Sequence, residues 1–428
     1  MQTLEGFEYT PFIPKSLLSI AEKIESAGGT SYLVGGWVRD ALLAEECRDF
    51  DIEVYGLDQD VLLKILSQYG RPNLVGRAFG VIHLAHKGFS LDFSFPRTES
   101  KVGEGHRGFL VQTHTHLSFR EAAYRRDFTI NAMGMKLPDL VLEDPYGGRD
   151  DLEKRILRHV SPAFVEDSLR VLRGVQFASR FHLTLAPETI SLCRTLSIED
   201  LSYERIFEEF KKWLLKPGKP SLGLQAFLDM DLNRFFPEIK PLNGSWELLG
   251  SFLDAIHESF VSFSATEQLI LAFTALLSEN KEEQAISLFL ERITNEIKIL
   301  RGVPLLWREV SSWKPERENL AESSIRRRSL RLGGLELLEC YSLAAPLITK
   351  EEKELIVIPL MEKAKEIGVY INPPEPILTG KMLMDLGFRP GKFFGELIQE
   401  SFELQLDGIL KTEADVLTWV QEKKAISI

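Results

Sequence analysis

The chain has 428 residues, with 63 Asp and Glu against 51 Lys and Arg, a formal net charge of −12, and 44% hydrophobic residues. That length exceeds what one compact core holds, so two to four domains are expected, and the acidic balance confines any nucleic-acid contact to a local basic patch. No run of about 18 apolar residues argues for a membrane span, and three scattered cysteines, Cys47, Cys193 and Cys340, lack metal-ligand spacing and suit a reducing cytoplasm.

The opening "MQTLEGFEYTPFIPKS" has neither a basic n-region nor an apolar h-region, so no secretory leader is expected. "PKSLLSIAEKIESAGG" reads as a helix with glycine past its end. "SYLVGG", "DFDIEVYGL", "GVIHLAHKG" and "FSLDFSF" read as short strands rich in Val, Ile, Leu and Phe. After "DPYGGRDDLEKR" the strand signals fade. From about residue 160 the pattern is helical, through "FVEDSLRVLRGVQFASRF", "YERIFEEFKKWLL", "SLGLQAFLDMD", "ATEQLILAFTALLSE" and "EEQAISLFLERIT". Pro217-Gly218-Lys219-Pro220 and Pro373-Pro374-Glu375-Pro376 punctuate this run. The fold class expected is α+β: a mixed-sheet head followed by an all-helical remainder.

The chemistry concentrates in residues 32–56. Asp49 and Asp51 stand two apart in a strand and so share a face. Two such carboxylates can hold two Mg²⁺, which keep waters and take further ligands from substrate phosphates. Gly35-Gly36 lets the backbone approach closely at the start of a helix, and helix N-termini favour phosphate. Arg39 reaches toward the same anion. Asp92, in "SLDFSFPRTES", is the candidate third acid. Alone, a glycine pair is a turn and a spaced acid pair is a solvated strand face. Their order here points to nucleotidyl transfer from a nucleoside triphosphate.

These stretches resemble the class II tRNA nucleotidyltransferase and bacterial poly(A) polymerase family. The likeness runs through "LVGGWVRDALL", "RDFDIEV", "RRDFTINAMGM", "DPYGGRDDL", "EDSLRVLRGVQFASRF" and "ERIFEEFKKWLL", and into the tail "ILTGKMLMDLGFRPGKFFGELIQESFELQLDG". The resemblance implies a polymerase-β-like nucleotidyltransferase head over 1–150, a helical neck for base selection over 151–240, a helical body over 241–372 and a tRNA-binding tail over 373–428. It implies Asp49 and Asp51 as Mg²⁺ ligands, and Gly36 and Arg39 as the seat of the triphosphate.

"EDSLRVLR" reads as a helix in which Asp167, Arg170 and Arg173 form one stripe. An ionised Asp only accepts hydrogen bonds and Arg only donates. The pair complements the pairing edges of cytosine and adenine and mismatches those of guanine and uracil. By resemblance, Asp167 and Arg170 read the incoming base, and Arg173 also binds nucleotide. The bland alternative is a surface salt bridge. Gln176 departs from a family that often has arginine there. Arg125 and Arg126 open "RRDFTINAM"; the resemblance puts the first on the nucleotide and has Asp127 and Asn131 shape the pocket.

Three further readings bear on function. The polar segment between Arg97 and Arg125 is similar to a loop that CCA-adding and A-adding members keep and CC-adding members shorten. "NLVGRAFGVIHL" is close to a poly(A) polymerase signature but has Ala78 after Arg77, which favours CCA addition. "DAIHESF" to "ALLSEN" looks like the remnant of a metal-dependent phosphohydrolase, with His257 in place and Ser278-Glu279 where a His-Asp pair belongs; no such activity is expected. For RNA, the basic runs are 324–331 and Lys211, Lys212, Lys216 and Lys219; a solvated helix face is the alternative for each. Gly387–Lys392 resembles a region that grips the tRNA elbow.

The expectation is a cytoplasmic, template-independent enzyme that adds C and A from CTP and ATP to a tRNA 3′ end, releasing pyrophosphate. A poly(A) polymerase, or an A-adding member working beside a separate CC-adding enzyme, stays open, as does oligomeric state. A tRNA-binding protein with a silent head is the non-enzymatic alternative.

Overall fold

The computed structural model describes residues 11–45, 47, 49–75, 81–101, 109–113, 117–312 and 320–426. The chain divides into two compact units, Met1–Phe235 and Phe236–Ile428.

The first unit begins with helix α1 (Lys15–Ser26), strand β1 (Thr30–Val34), helix α2 (Gly36–Leu42) and strand β2 (Asp49–Tyr55). Helix α3 (Gln59–Leu66) leads to β3 (Asn73–Val75), β4 (Val81–His86), β5 (Phe89–Ser94), β6 (Arg97–Lys101) and β7 (Phe109–Thr113). Helix α4 (Phe119–Ala123), β8 (Gly134–Leu137), β9 (Val141–Glu143) and α5 (Gly148–Glu153) follow. The sheet order is β3-β4-β5-β2-β1-β8-β9, with β6 and β7 a separate hairpin. All neighbours are antiparallel except β2 and β5. The sheet buries one face: Phe50, Ile52 and Val54 of β2 point into the core while Asp49 and Asp51 point out, the period-2 pattern of a half-buried strand.

The rest of this unit is β10 (Ile156–Leu157), α6 (Leu169–Phe181), β11 (Thr184–Leu185), α7 (Pro187–Arg194), α8 (Tyr203–Leu215) and α9 (Pro220–Asp229). The two-residue strands β10 and β11 pair in parallel, a pairing the helical sequence pattern did not announce. They tie the exit of α6 to the chain leaving α5. Helix α6 packs on α8 and α9. Gly223 permits close approach there, since a Cβ on it would lie 2.2 Å from Trp213 Nε1, whose N–H donates to Pro220 O at 3.0 Å. The boundary expected at 150/151 falls inside this unit. The reason is a shared core: Phe128 packs edge-on against Phe164 and Phe177, all buried.

The second unit is helical. It comprises α10 (Trp246–Glu258), α11 (Ala265–Leu276), α12 (Glu283–Ile293), α13 (Ile297–Ser312), α14 (Glu322–Leu332) and α15 (Glu336–Ala344). Helix α16 (Lys350–Glu352) runs through a π-helical segment, Lys353–Val357, into α17 (Ile358–Glu366). Helices α18 (Gly380–Asp385), α19 (Lys392–Leu406) and α20 (Glu413–Ile426) complete the chain. Helix α11 is buried along Leu269–Leu276, as suits a central core helix. Residues after the Pro373–Pro376 stretch gather around Leu378, Leu383, Leu397, Leu410, Val416 and Val420. No described helix is long and apolar enough to cross a membrane.

Candidate active site

The site is built on the solvent face of the sheet and on α6. In the parallel pair, Asp49 lies across from Ser90 and Asp51 across from Asp92. Residues paired this way point to the same side, so the three expected acids share one patch. Burial pushes the Asp51 carboxyl up; Asp92 pushes it further, Arg126 pulls it down, and Asp49 adds a last upward push. Asp92 is also 2.7 Å from His83 Nδ1, its antiparallel neighbour on β4. Neither Asp49 nor Asp51 forms a salt bridge with a described residue. Crowded, incompletely compensated carboxylates of this kind fit a hard divalent cation. Among the described residues no group of three or more His, Cys, Asp or Glu side chains is placed to hold a metal ion. An Mg²⁺ site completed by substrate phosphates needs only one or two protein carboxylates, so the residues present fit the ion.

Beside Asp51 lies a cleft of about 550 Å³. Gly35 and Gly36 form one edge. Gly35 has φ 67° and ψ −127°, a conformation essentially restricted to glycine, and it starts α2 as the sequence predicts. The cleft is lined by seven cationic side chains, Arg39, Arg126, Arg170, Arg173, Arg180, Arg205 and Lys212, against three carboxylates, Asp51, Asp127 and Asp167. On an acidic chain this is a local positive site, suited to a polyanion.

Much of the cleft is held rigid. Arg39 is 5% exposed. It donates to Asn131 Oδ1 at 2.6 Å and, through Nε and Nη2, to Asp40 Oδ1 at 2.8 and 2.6 Å. Its guanidinium lies 4.1 Å from the Phe181 ring centre. It brings charge to the wall with most donors already used. Asp127 is also buried. Burial raises its carboxyl, but Arg173 at 2.7 Å, with N–H donors from Asn131, Phe128 and Arg173, outweighs this, and the net direction is down. Asp127 and Asn131 therefore act as struts for Arg173 and Arg39.

The residues expected to read the base come together differently from the expected stripe. Helix α6 starts at Leu169, not at Glu166. Asp167 is extended, with φ −134° and ψ 103°, and its Oδ1 accepts the Leu169 N–H at 3.2 Å. An Asp favours this pre-helical position because its carboxylate satisfies an otherwise unpaired N–H. The expected alternative, an Asp167–Arg170 salt bridge, is absent. Arg170 donates to Ala163 O and Arg125 O at 2.8 and 2.7 Å. Asp167 instead meets Arg205 of α8 at 2.8 Å.

Arg205 was not foreseen, and neither was Arg180. At position 176 the buried Gln176 accepts from Arg180 Nη1 at 3.3 Å. Arg180 lies seven residues beyond Arg173, two turns along one face, so the signal was available. Burial, then the charge of Arg39, lowers the Arg180 pKa. Lys212 reaches the cleft while 2.8 Å from Glu209; it belongs here rather than to a separate patch with Lys216 and Lys219. Arg125 does not line this cleft. It pairs with Glu166 at 3.1 Å in a second cleft that shares Arg126 and Arg170 with the first.

The second unit holds two further features singled out in the sequence. The basic run 324–331 is neutralised: Arg328 and Arg331 reach Glu309, Arg327 reaches Glu403 and Asp407, and Arg326 reaches Glu322. Its acidic partners lie up to 80 residues away in sequence, invisible to a local reading. Ser278 and Glu279 line a cavity of about 270 Å³ with Phe252 and Tyr341; His257 packs against Phe260. Arg77 and Ala78, and residues 102–108 and 114–116 of the segment between Arg97 and Arg125, lie outside the described residues.

Residues 31–158 match the family described as the poly A polymerase head domain. The multifunctional CCA protein of Xanthomonas oryzae pv. oryzae is 40% identical over 221 residues, 50% of this chain and 52% of that protein. That of Mannheimia succiniciproducens is 39% identical over 222 residues, 50% and 51% respectively. The chain thus spans about half the length of the curated relatives it matches. Among solved structures, the Bacillus stearothermophilus CCA-adding enzyme in complex with CTP superposes with TM-score 0.69 at 23% identity, covering 97% of this chain and 99% of that one. The Thermotoga maritima CCA-adding enzyme complexed with tRNA gives 0.64 at 22%, covering 96% of each. The fold is that of these enzymes along nearly the whole chain.

Proposed function

We propose that this chain, a member of the poly A polymerase head-domain family over residues 31–158, is a cytoplasmic, template-independent nucleotidyltransferase that extends a tRNA 3′ end with C and A from CTP and ATP. The observation that carries the reading is the carboxylate row of Asp49, Asp51 and Asp92, whose central member Asp51 lines a cleft with seven cationic side chains.

The RNA 3′-hydroxyl oxygen forms a bond to the α-phosphorus, the α–β phosphoanhydride bond breaks, pyrophosphate leaves, and the hydroxyl proton goes to solvent. Asp49 and Asp51 would hold two Mg²⁺, with Asp92 beside them. When bound, the ions supply activation of the hydroxyl and charge compensation at the triphosphate. The chain's own residues do the positioning. Gly35 and Gly36 admit phosphate oxygens close to backbone, and Arg126, Arg173 and Arg180 compensate their charge. Asp167 and Arg170 present an acceptor beside a donor, with Arg205 holding the Asp167 carboxylate. Guanine and uracil leave such groups unpaired, at about 1–3 kcal/mol each. Catalysis is then mainly orientation and fixed electrostatics. RNA would be held further along the chain, with Gly387–Lys392 as one contact.

The test is incubation of the full chain, Mg²⁺ and a tRNA that ends before CCA with labelled CTP and ATP. Addition that stops after CCA supports the proposal. Long adenylate tails make the chain a poly(A) polymerase, and addition of A alone to a tRNA ending in CC makes it an A-adding member. Tight tRNA binding with no incorporation overturns the enzymatic reading.

A further inference from the structure

We infer that the cavity of the second unit is a binding site for a small aliphatic diamine, a function that goes beyond the transferase reading and uses none of its residues. The cavity measures about 270 Å³ and lies between helices: Phe252 comes from α10, Val310 from α13, Tyr341 from α15 and Glu352 from α16, with Ser278 and Glu279 just past the end of α11.

Charge decides what kind of ligand fits. The lining holds two carboxylates, Glu279 and Glu352, and no Lys, Arg or His. Neither carboxylate forms a salt bridge with a described residue. Each has one oxygen engaged. Glu279 Oε1 accepts the Asn243 N–H at 2.9 Å, and Glu352 Oε2 accepts the Thr349 N–H and hydroxyl at 2.7 and 2.8 Å. The Thr349 bonds hold the Glu352 carboxyl below its usual range, so it stays anionic. The other oxygen of each is left for a ligand. Two negative charges without a cation repel phosphate, so CTP, ATP and RNA do not fit here, and a cation does.

The rest of the lining decides which cation. Leu242, Phe252, Val310 and Ile348 present apolar surface. A hard metal ion would take oxygen ligands or water and leave that surface uncovered; a methylene chain covers it. Phe252 and Tyr341 pack edge-on, with ring centres 5.1 Å apart, and aromatic rings attract an ammonium group. The Ser278 hydroxyl is buried without a well-formed hydrogen bond, although Tyr341 stands beside it, so an acceptor is available for an ammonium N–H. Two carboxylates call for two ammonium groups, and the apolar wall calls for the chain that joins them. The volume lies just below the usual range for drug-sized ligands and suits a molecule of this size. The backbone next to Glu352 is also unusual: it turns π-helical over Lys353–Val357, a departure that recurs at functional sites.

The experiment is calorimetric titration of the full chain with 1,5-diaminopentane at about 0.15 M salt, where surface attraction is largely screened. One site with Kd of about 0.1 mM is expected. The diol 1,5-pentanediol, with the same carbon chain and no charge, should bind at least about tenfold more weakly. Glu279→Gln and Glu352→Gln should each weaken the diamine about tenfold. Both variants keep the fold, because glutamine still accepts from the Asn243 N–H and still completes the Thr349 capping box. Glu351→Gln removes the same charge from an exposed neighbouring position and should leave Kd within about twofold. Equal weakening in all three variants makes the binding a surface-charge effect and overturns the site. Equal affinity for the diol, loss of the diamine on addition of about 1 mM Mg²⁺, or no binding up to about 10 mM overturns it as well.

Discussion

Two arginine-rich helices, α6 and α14, look alike in sequence and do opposite things in the fold. Helix α14 has the denser run, Arg326, Arg327, Arg328 and Arg331, yet each is matched by a carboxylate from its own helix, α13 or α19. Helix α6 spaces Arg170, Arg173 and Arg180 along a cleft wall where cations outnumber carboxylates. In α14 the charge fastens helices together; in α6 it is left in excess for a ligand. Density of basic residues therefore says little about a binding site. What counts is whether the fold brings acids to them.

The widest separation between the two regions should come from the carboxylates that the α6 cleft opens onto. Asp51→Asn is expected to cut nucleotide incorporation by at least about a thousandfold, while tRNA binding, followed by fluorescence anisotropy, stays near wild type. Turnover that survived would remove Asp51 from the metal site and leave the cleft without its chemistry.

Next in size is base choice. Asp167→Ala should let UTP and GTP compete, narrowing discrimination by up to about a hundredfold, the worth of two unpaired buried groups. Turnover with CTP should fall less. Arg205→Ala should give a weaker version of the same change, because it frees the Asp167 carboxylate that it now holds at 2.8 Å. Equal loss for all four nucleotides in both variants would make the pair a structural clamp like those of α14.

The cleft's own struts give a pH test. The folded-state pKa of Asp127 is depressed: burial raises it, but the charge of Arg173 and three hydrogen bonds outweigh that. A depressed carboxylate contributes stability that is present above its unfolded value, near 3.9, and is lost as pH falls through the folded one. Thermal unfolding from pH 7 down to pH 2 should show the wild type losing stability in that acid window, and Asp127→Asn should flatten the loss. An unchanged acid limb would mean that Asp127 adds nothing to folding.

How much of this was legible in the sequence follows from how local each feature is. The face shared by Asp49 and Asp51 follows from period 2 in "DFDIEV", and the glycine turn into α2 follows from residue type. Asp92 needed the parallel register of β2 and β5 to become a neighbour of Asp51, which no local pattern supplies. The stripe drawn through Asp167 failed by two residues, because a capping aspartate and a helical one read alike until the helix start is seen. Arg205 was missed because it reaches the cleft from a different helix, and the neutralisation of α14 because Glu309, Glu403 and Asp407 are remote in sequence. Arg180 was the avoidable omission, since the helical period already placed it in line with Arg173.

The smallest effect expected is in the second unit, and it sharpens the contrast most directly. Glu309 is 6% exposed and bonds both Arg328 and Arg331, at 3.3 and 2.5 Å. Glu309→Gln keeps the shape and removes the charge, leaving two guanidiniums without their shared carboxylate. Arg331 is half exposed and regains water; Arg328 does so only in part. The cost should be about 1–2 kcal/mol, read as a fall of a few degrees in Tm. Incorporation per folded molecule and KM for CTP should not change, because the pair binds helix to helix and not ligand. If the variant instead kept its Tm and lost affinity for tRNA, the α14 arginines would belong to the RNA surface after all, and the distinction between spent and available charge would fail at its clearest example.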